Sequence, residues 1–81
     1  SNSNPLVQQM IEYDIDLYKD DEKVYSTKLL VSGQTLDMEE VAKQCHRLLM
    51  CSQYDKDFDG FVVYDPSDGP NSQNLYMDLV E

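Results

Sequence analysis

The chain has 81 residues, of which sixteen are Asp or Glu and six are Lys or Arg, and its formal net charge at pH 7 is -10. Such a surface repels nucleic acid and anionic lipid and attracts basic proteins, so neither direct nucleic-acid binding nor membrane binding is expected. Apolar residues make up 41% of the chain, enough for one core, so we expect a single domain over residues 10–81 after a flexible leader over residues 1–9.

The first predicted element is a β-hairpin. Residues 11–18, IEYDIDLY, alternate between apolar and mostly acidic side chains, as a half-buried strand does. The loop KDDEK, Lys19 to Lys23, precedes a second strand in VYSTKLLV. A slip of one residue would turn one apolar set to solvent, so the register is predictable. The expected pairs are Ile11 with Val31, Tyr13 with Leu29, Ile15 with Thr27, and Leu17 with Tyr25.

The next predicted element is an amphipathic helix that runs to about Gln53. Asp37 is its predicted N-cap, with Glu40 three residues later and with Leu36 and Val41 placed for a hydrophobic staple. Apolar residues then recur at the spacing of three and four that one helix face requires. The residues expected to face the core are Met38, Val41, Ala42, Cys45, Leu48, Leu49 and Ser52.

Two further strands complete the predicted fold. FVVY is β-branched and aromatic, and LYMDLVE alternates, with Leu75, Met77 and Leu79 on one side. Between them DPSDGPNSQN, with its prolines and glycine, predicts a loop. One helix packed on one face of a four-stranded sheet would bury every apolar face in a single core, so we predict a two-layer α+β fold of order ββαββ.

This order of elements resembles that of the β-grasp domains. In that family the segment DGEWTYDD follows the helix and is similar to DGFVVYDP in this chain. The likeness covers residues 10–81, and it implies that the first and last strands lie side by side and parallel in a mixed sheet. It is a likeness of architecture, which implies no function.

The segment DKDFDG, residues 55–60, has two interpretations. Asp55, Asp57 and Asp59, followed by a glycine, match the start of an EF-hand loop and are candidate calcium ligands. Pro66 stands where the bidentate glutamate belongs, and prolines prevent the exit helix. An acidic turn that ends a helix, in which glycine takes left-handed backbone geometry, is therefore the favoured interpretation, and a calcium-binding module is the alternative.

No enzymatic activity is expected from this chain. It contains no glycine-rich phosphate loop and no plausible Ser, His and Asp set, so no catalytic residue and no cofactor other than calcium is predicted. Cys45 and Cys51 point in different directions on a helix and cannot bridge each other. Reduced thiols, together with the lack of any apolar run of about 18 residues, indicate a soluble, cytoplasmic protein.

The remaining candidate site is the sheet face that the helix leaves open. We predict that it binds a partner through seven residues: Glu12, Asp14, Asp16, Tyr18, Val24, Lys28 and Leu30. Acidic side chains around apolar ones are typical of a protein contact surface. The predicted partner is a basic or nucleic-acid-binding protein, which the chain would inhibit. The acidic row of Glu12, Asp14 and Asp16 suggests a DNA mimic. The alternatives are a homodimer and an acidity that serves only solubility.

Overall fold

The computed structural model describes residues 10–32, 37–65 and 73–79. In order, they form β1 (Met10–Lys19), β2 (Glu22–Ser32), α1 (Met38–Cys51), a 3-10 turn (Tyr54–Lys56), β3 (Gly60–Tyr64) and β4 (Asn74–Asp78). The strands make one sheet of order β2-β1-β3-β4, and α1 packs on one of its faces. The predicted two-layer α+β fold is confirmed. The predicted leader over residues 1–9 and the proposed staple residue Leu36 lie outside the described residues.

The strand arrangement that the β-grasp resemblance implied is not found in the described sheet. The partner of β1 is β3 rather than β4, and all three neighbouring pairs are antiparallel, so the expectation of a mixed sheet was wrong. The pairing sets Phe61 beside Leu17 and Val63 beside Ile15. All four side chains are fully buried, so this order concentrates the apolar residues at the middle of the sheet, beneath the helix.

The register of the first hairpin is confirmed at all four predicted pairs. After the pair of Leu17 and Tyr25 the register shifts by one residue, so that Tyr18 pairs with Lys23 and Val24 has no partner in β1. Val24 is therefore a β-bulge on an edge strand. Because the alternation in β2 continues through this position, the bulge could not be predicted from the pattern.

The bulge shortens the hairpin loop. The predicted loop of residues 19–23 was too long, because Lys19 pairs with Glu22 and leaves only Asp20 and Asp21 in the turn. Both turn residues have positive φ, 53° and 67°. Positive φ at both central residues is the requirement of a type I′ turn, which twists in the same sense as its flanking strands.

Helix α1 begins where it was predicted to begin. The Asp37 carboxylate accepts a hydrogen bond of 2.9 Å from the backbone N–H of Glu40, as an N-cap should. The helix ends at Cys51, because Ser52 caps it and Gln53 takes a left-handed φ of 64°. The prediction that Leu48 and Ser52 face the core was wrong, since both are exposed.

The core lies between α1 and the inner face of the sheet. Its fully buried members are Ile15, Leu17, Val41, Ala42, Cys45, Leu49, Phe61, Val63 and Leu79. Leu75 and Met77 pack against this cluster, which confirms the predicted inward side of the last strand. Tyr25 was expected to be buried but is half exposed, because it lies near the hairpin turn and stacks on Phe58 rather than on the helix.

Candidate functional site: the outer face of the sheet

The sheet face opposite α1 is the candidate site. Alternate residues of a strand point to the same side, so the burial of Tyr13, Ile15 and Leu17 turns the even-numbered residues of β1 away from the helix. The strand registers align their neighbours on β2, β3 and β4 with them. The resulting outer face consists of Glu12, Asp14, Asp16, Tyr18, Ser26, Lys28, Leu30, Val62, Tyr64, Tyr76 and Asp78.

The predicted acidic row lies along β1. Lys28, on β2, places its Nζ 3.3 Å from an Asp14 carboxylate oxygen and 3.9 Å from one of Glu12. The predicted register of the hairpin sets Lys28 opposite Asp14. The Ser26 hydroxyl donates a 2.7 Å hydrogen bond to Asp16. One lysine beside three carboxylates leaves the row anionic. Its ion pairs are exposed, and such pairs are worth only about 0–1 kcal/mol.

The predicted apolar residues are not brought together. Val24 and Leu30 are six positions apart in the sequence, so they lie roughly 20 Å apart along β2. Both are more than half exposed. The bulge pairs Tyr18 with Lys23 rather than with Val24. Val24 and Leu30 therefore do not form one apolar patch.

Three tyrosines, Tyr18, Tyr64 and Tyr76, lie on the outer face. The rings of Tyr18 and Tyr76 meet edge to face, with centroids 6.1 Å apart. Burial, together with a hydrogen bond to Asp16 and its charge, raises the pKa of Tyr64 to about 12. Burial and a hydrogen bond to Asp78 likewise raise the pKa of Tyr76. Each of these two phenols thus lies near a carboxylate on the same surface.

Gly60 makes room for one of these tyrosines. A Cβ atom on Gly60 would overlap the Tyr76 phenol and would lie 3.0 Å from the carbonyl oxygen of Met77. The φ of Gly60 is outside the left-handed region, and the residue begins β3. The prediction of left-handed geometry at the end of DKDFDG was therefore wrong, since this glycine serves close packing between strands.

Sequence reasoning overlooked Tyr64 and Tyr76, although a signal was present. Both alternate with buried or partly buried residues, Val63 in β3 and Leu75 and Met77 in β4. The same alternation that placed the acids of β1 outward therefore places these phenols outward. Their position beside the acidic row depends on the strand order, which the alternation does not determine.

The aspartates of DKDFDG have separate positions. Asp55 lies within the 3-10 turn and Asp57 follows it. The Asp59 carboxylate accepts a 2.8 Å hydrogen bond from the backbone N–H of Asp20 and lies 3.9 Å from the Nζ of Lys19. Among the described residues, no three Asp, Glu, His or Cys side chains gather as they would around a metal ion. Asp59 instead ties the hairpin turn to the start of β3.

The architecture defines a small two-layer α+β protein with an antiparallel sheet. Comparison with protein-family models, curated proteins and solved structures finds no match to this chain. In the described part of the chain, the single long helix is too short and too polar to cross a membrane. Both cysteines are free, with Cys45 buried and Cys51 exposed.

Proposed function

We propose that this protein is a non-enzymatic interaction module whose outer face binds a basic protein. The observation that carries the proposal is the mixture of phenols and carboxylates on one surface, as in the pairs of Tyr64 with Asp16 and Tyr76 with Asp78. Arginine side chains form parallel hydrogen bonds with carboxylates and also stack on aromatic rings. Tyrosine is enriched in protein interfaces for its large contact area and polar tip.

The layout favours contact with a protein over imitation of a nucleic acid. A single β-strand presents a charge about every 6.8 Å, whereas a DNA strand presents one about every 3.4 Å. A DNA mimic would need a second acidic row beside the first. On β3, the strand beside β1, Val62 and Tyr64 occupy that place. An inhibitor of a nucleic-acid-binding protein is one form of this proposal, acting by contact with that protein's basic surface.

Two further points support the proposal. Self-association through the outer face would bring the carboxylates of two copies together, and like charges oppose it. Free Cys45 and Cys51 fit a reducing cytoplasm, where we place the protein. A basic cytoplasmic partner is therefore favoured over a second copy of the chain.

The experiment measures binding of a labelled arginine and glycine repeat peptide by fluorescence anisotropy at low and high salt. Replacing Asp14 and Asp16 by Lys should weaken binding at least about tenfold, because it inverts the charge beside the tyrosines. The matched control replaces Glu39 and Glu40 by Lys. Both residues are exposed on α1, and the change of net charge is the same. Circular dichroism verifies folding of each variant.

Three results would contradict the proposal. Equal weakening by the two double variants would mean that only net charge matters, so that the acidity serves solubility and long-range attraction. Unchanged binding in the variant of Asp14 and Asp16 would exclude the outer face. Retention of binding by a lysine and glycine repeat, at the affinity of the arginine peptide, would show that the tyrosines contribute nothing specific.

A further inference from the structure

A depression of about 270 Å³ lies on the helix side of the molecule, where α1 ends near the hairpin turn. It is lined by Tyr25, Ser52, Gln53, Tyr54, Asp57 and Phe58. None of these residues belongs to the outer face. We call it the turn pocket, and both its rings and its charges point to one kind of ligand.

The aromatic wall of the turn pocket is a row of three rings. The ring of Phe58 lies 6.2 Å from that of Tyr25 and 5.9 Å from that of Tyr54, at interplanar angles of only 21° and 28°. A spherical quaternary ammonium ion requires rings set at large angles around one centre, whereas a planar guanidinium stacks on parallel rings. The half-exposed ring of Tyr25 offers such a surface.

The electrostatics of the turn pocket favour a cation. Asp57, an acidic residue, lines it and is exposed. Ser52 is the C-cap of α1, so the pocket lies at the negative end of a 14-residue helix, whose last turn contains no basic residue. Gln53, which takes a φ of 64°, also lines the pocket. A carboxylate, a helix C-terminus and aromatic faces together are the features that bind an organic cation.

We propose that the turn pocket binds the guanidinium group of an arginine side chain in a basic protein segment. The guanidinium stacks on Tyr25 and pairs with the carboxylate of Asp57. The source of the arginine rests on the proposed function, because a basic partner supplies it. The pocket and the outer face lie on opposite sides of the sheet, so each can fail in its own experiment.

The test is an amide NMR titration of the full chain with blocked arginine, N-acetyl-arginine amide, at millimolar concentrations. Blocked lysine carries the same charge without the planar group, and blocked citrulline has a similar shape without the charge. Blocked arginine should cause saturable shifts at Tyr25, Gln53 and Asp57. The two analogues should bind at least about fivefold more weakly.

Two variants locate the effect. Tyr25→Leu keeps an apolar side chain but removes the ring. Asp57→Asn removes an exposed charge that makes no side-chain hydrogen bond or ion pair among the described residues. Each should weaken the binding of blocked arginine about fivefold, whereas Tyr76→Leu on the outer face should leave that binding unchanged. If Tyr25→Leu does not fold, Asp57→Asn alone decides.

The inference is overturned by equal responses to arginine and lysine, by shifts confined to the outer face, or by unchanged affinity in Asp57→Asn. Absence of any shift also overturns it, and it leaves capture by the outer face untouched. The opposite combination is also informative. If blocked arginine binds the turn pocket, and the variant with Asp14 and Asp16 replaced still captures the peptide, the pocket is supported and the outer face is refuted.

Discussion

Gly60 and Tyr76 occupy one space on the outer face: the phenol of Tyr76 lies where the side chain of any larger residue at position 60 would begin. Their strands are neighbours, since Gly60 pairs with Asp78 and Val62 with Tyr76. The same ring meets the ring of Tyr18 edge to face. The position of Tyr76 in the candidate site thus depends on the smallest residue of β3.

Gly60→Ala should therefore lower the free energy of unfolding by about 1–3 kcal/mol, the usual cost of overpacking. Urea denaturation measures it. In a Tyr76→Ser background the same substitution should cost much less, because the overlapping ring is gone, although Met77 still restricts the site. An identical cost in both backgrounds would show that the two residues are not coupled.

In the hairpin turn, an aspartate has a backbone conformation that favours glycine. Asp21→Gly should raise the free energy of unfolding by about 0.5–1 kcal/mol, because a φ of 67° suits glycine. Asp21→Ala removes the same charge but keeps the unfavourable φ, so it should be destabilising. Thermal unfolding of both variants separates backbone from charge. Stabilisation by alanine would mean that repulsion among the acids dominates instead.

Asp59 and Asp57 are expected to behave differently. Asp59→Ala removes the acceptor for the Asp20 N–H and the ion pair with Lys19, so it should cost about 1 kcal/mol. Asp57→Ala, at an exposed position, should change stability by less than about 0.5 kcal/mol. Calorimetry with millimolar calcium should give no heat in either variant or in the parent chain. Calcium heat that disappears in Asp57→Ala would restore the calcium-binding interpretation.

The two cysteines should differ in reactivity. Cys45 is fully buried, and burial raises its pKa to about 11, whereas Cys51 is exposed. Because the thiolate is the nucleophile, iodoacetamide at mildly alkaline pH should add once to the native chain, at Cys51, and twice to the urea-unfolded chain. Mass spectrometry with peptide mapping measures both states. A second rapid adduct under native conditions would contradict the packing of Cys45 in the core.

Stability should fall at alkaline pH. Tyr64 has its pKa raised from 10.0 to about 12 in the folded protein, so its contribution is complete below about pH 10 and is lost as the pH rises through about 12. Tyr64→Phe should reduce the alkaline slope of the unfolding free energy. Part of the slope should remain, because the pKa values of Tyr13 and Tyr76 are also raised. The control is Tyr25→Phe, and equal slopes in the two variants would contradict the assignment.

The sequence predicted well what depends on side-chain alternation. In the first hairpin, a wrong register would expose residues such as Ile15, so one solution is strongly preferred. The start of α1 follows from Asp37, whose short carboxylate satisfies a free N–H. The inward side of β4 follows from the alternation of Leu75 and Met77.

What the sequence could not predict is which strands become neighbours. Alternation gives each strand an inner and an outer face but no partner, so β1 could pair with β3 or with β4. The turn pocket was missed for a different reason. Tyr54 and Phe58 are four residues apart, a helical spacing, but the aspartates between them favoured an exposed acidic loop. In the structure, both pack against the core cluster.

The bulge at Val24 has a consequence for behaviour at high concentration. An 11-residue strand at a sheet border is a template on which further chains can add. A bulge increases local twist and interrupts the regular spacing of backbone donors and acceptors along that border. Deleting Val24 would straighten the longest of the four described strands, and the most direct result would be fibrous or amorphous deposits rather than a change in fold.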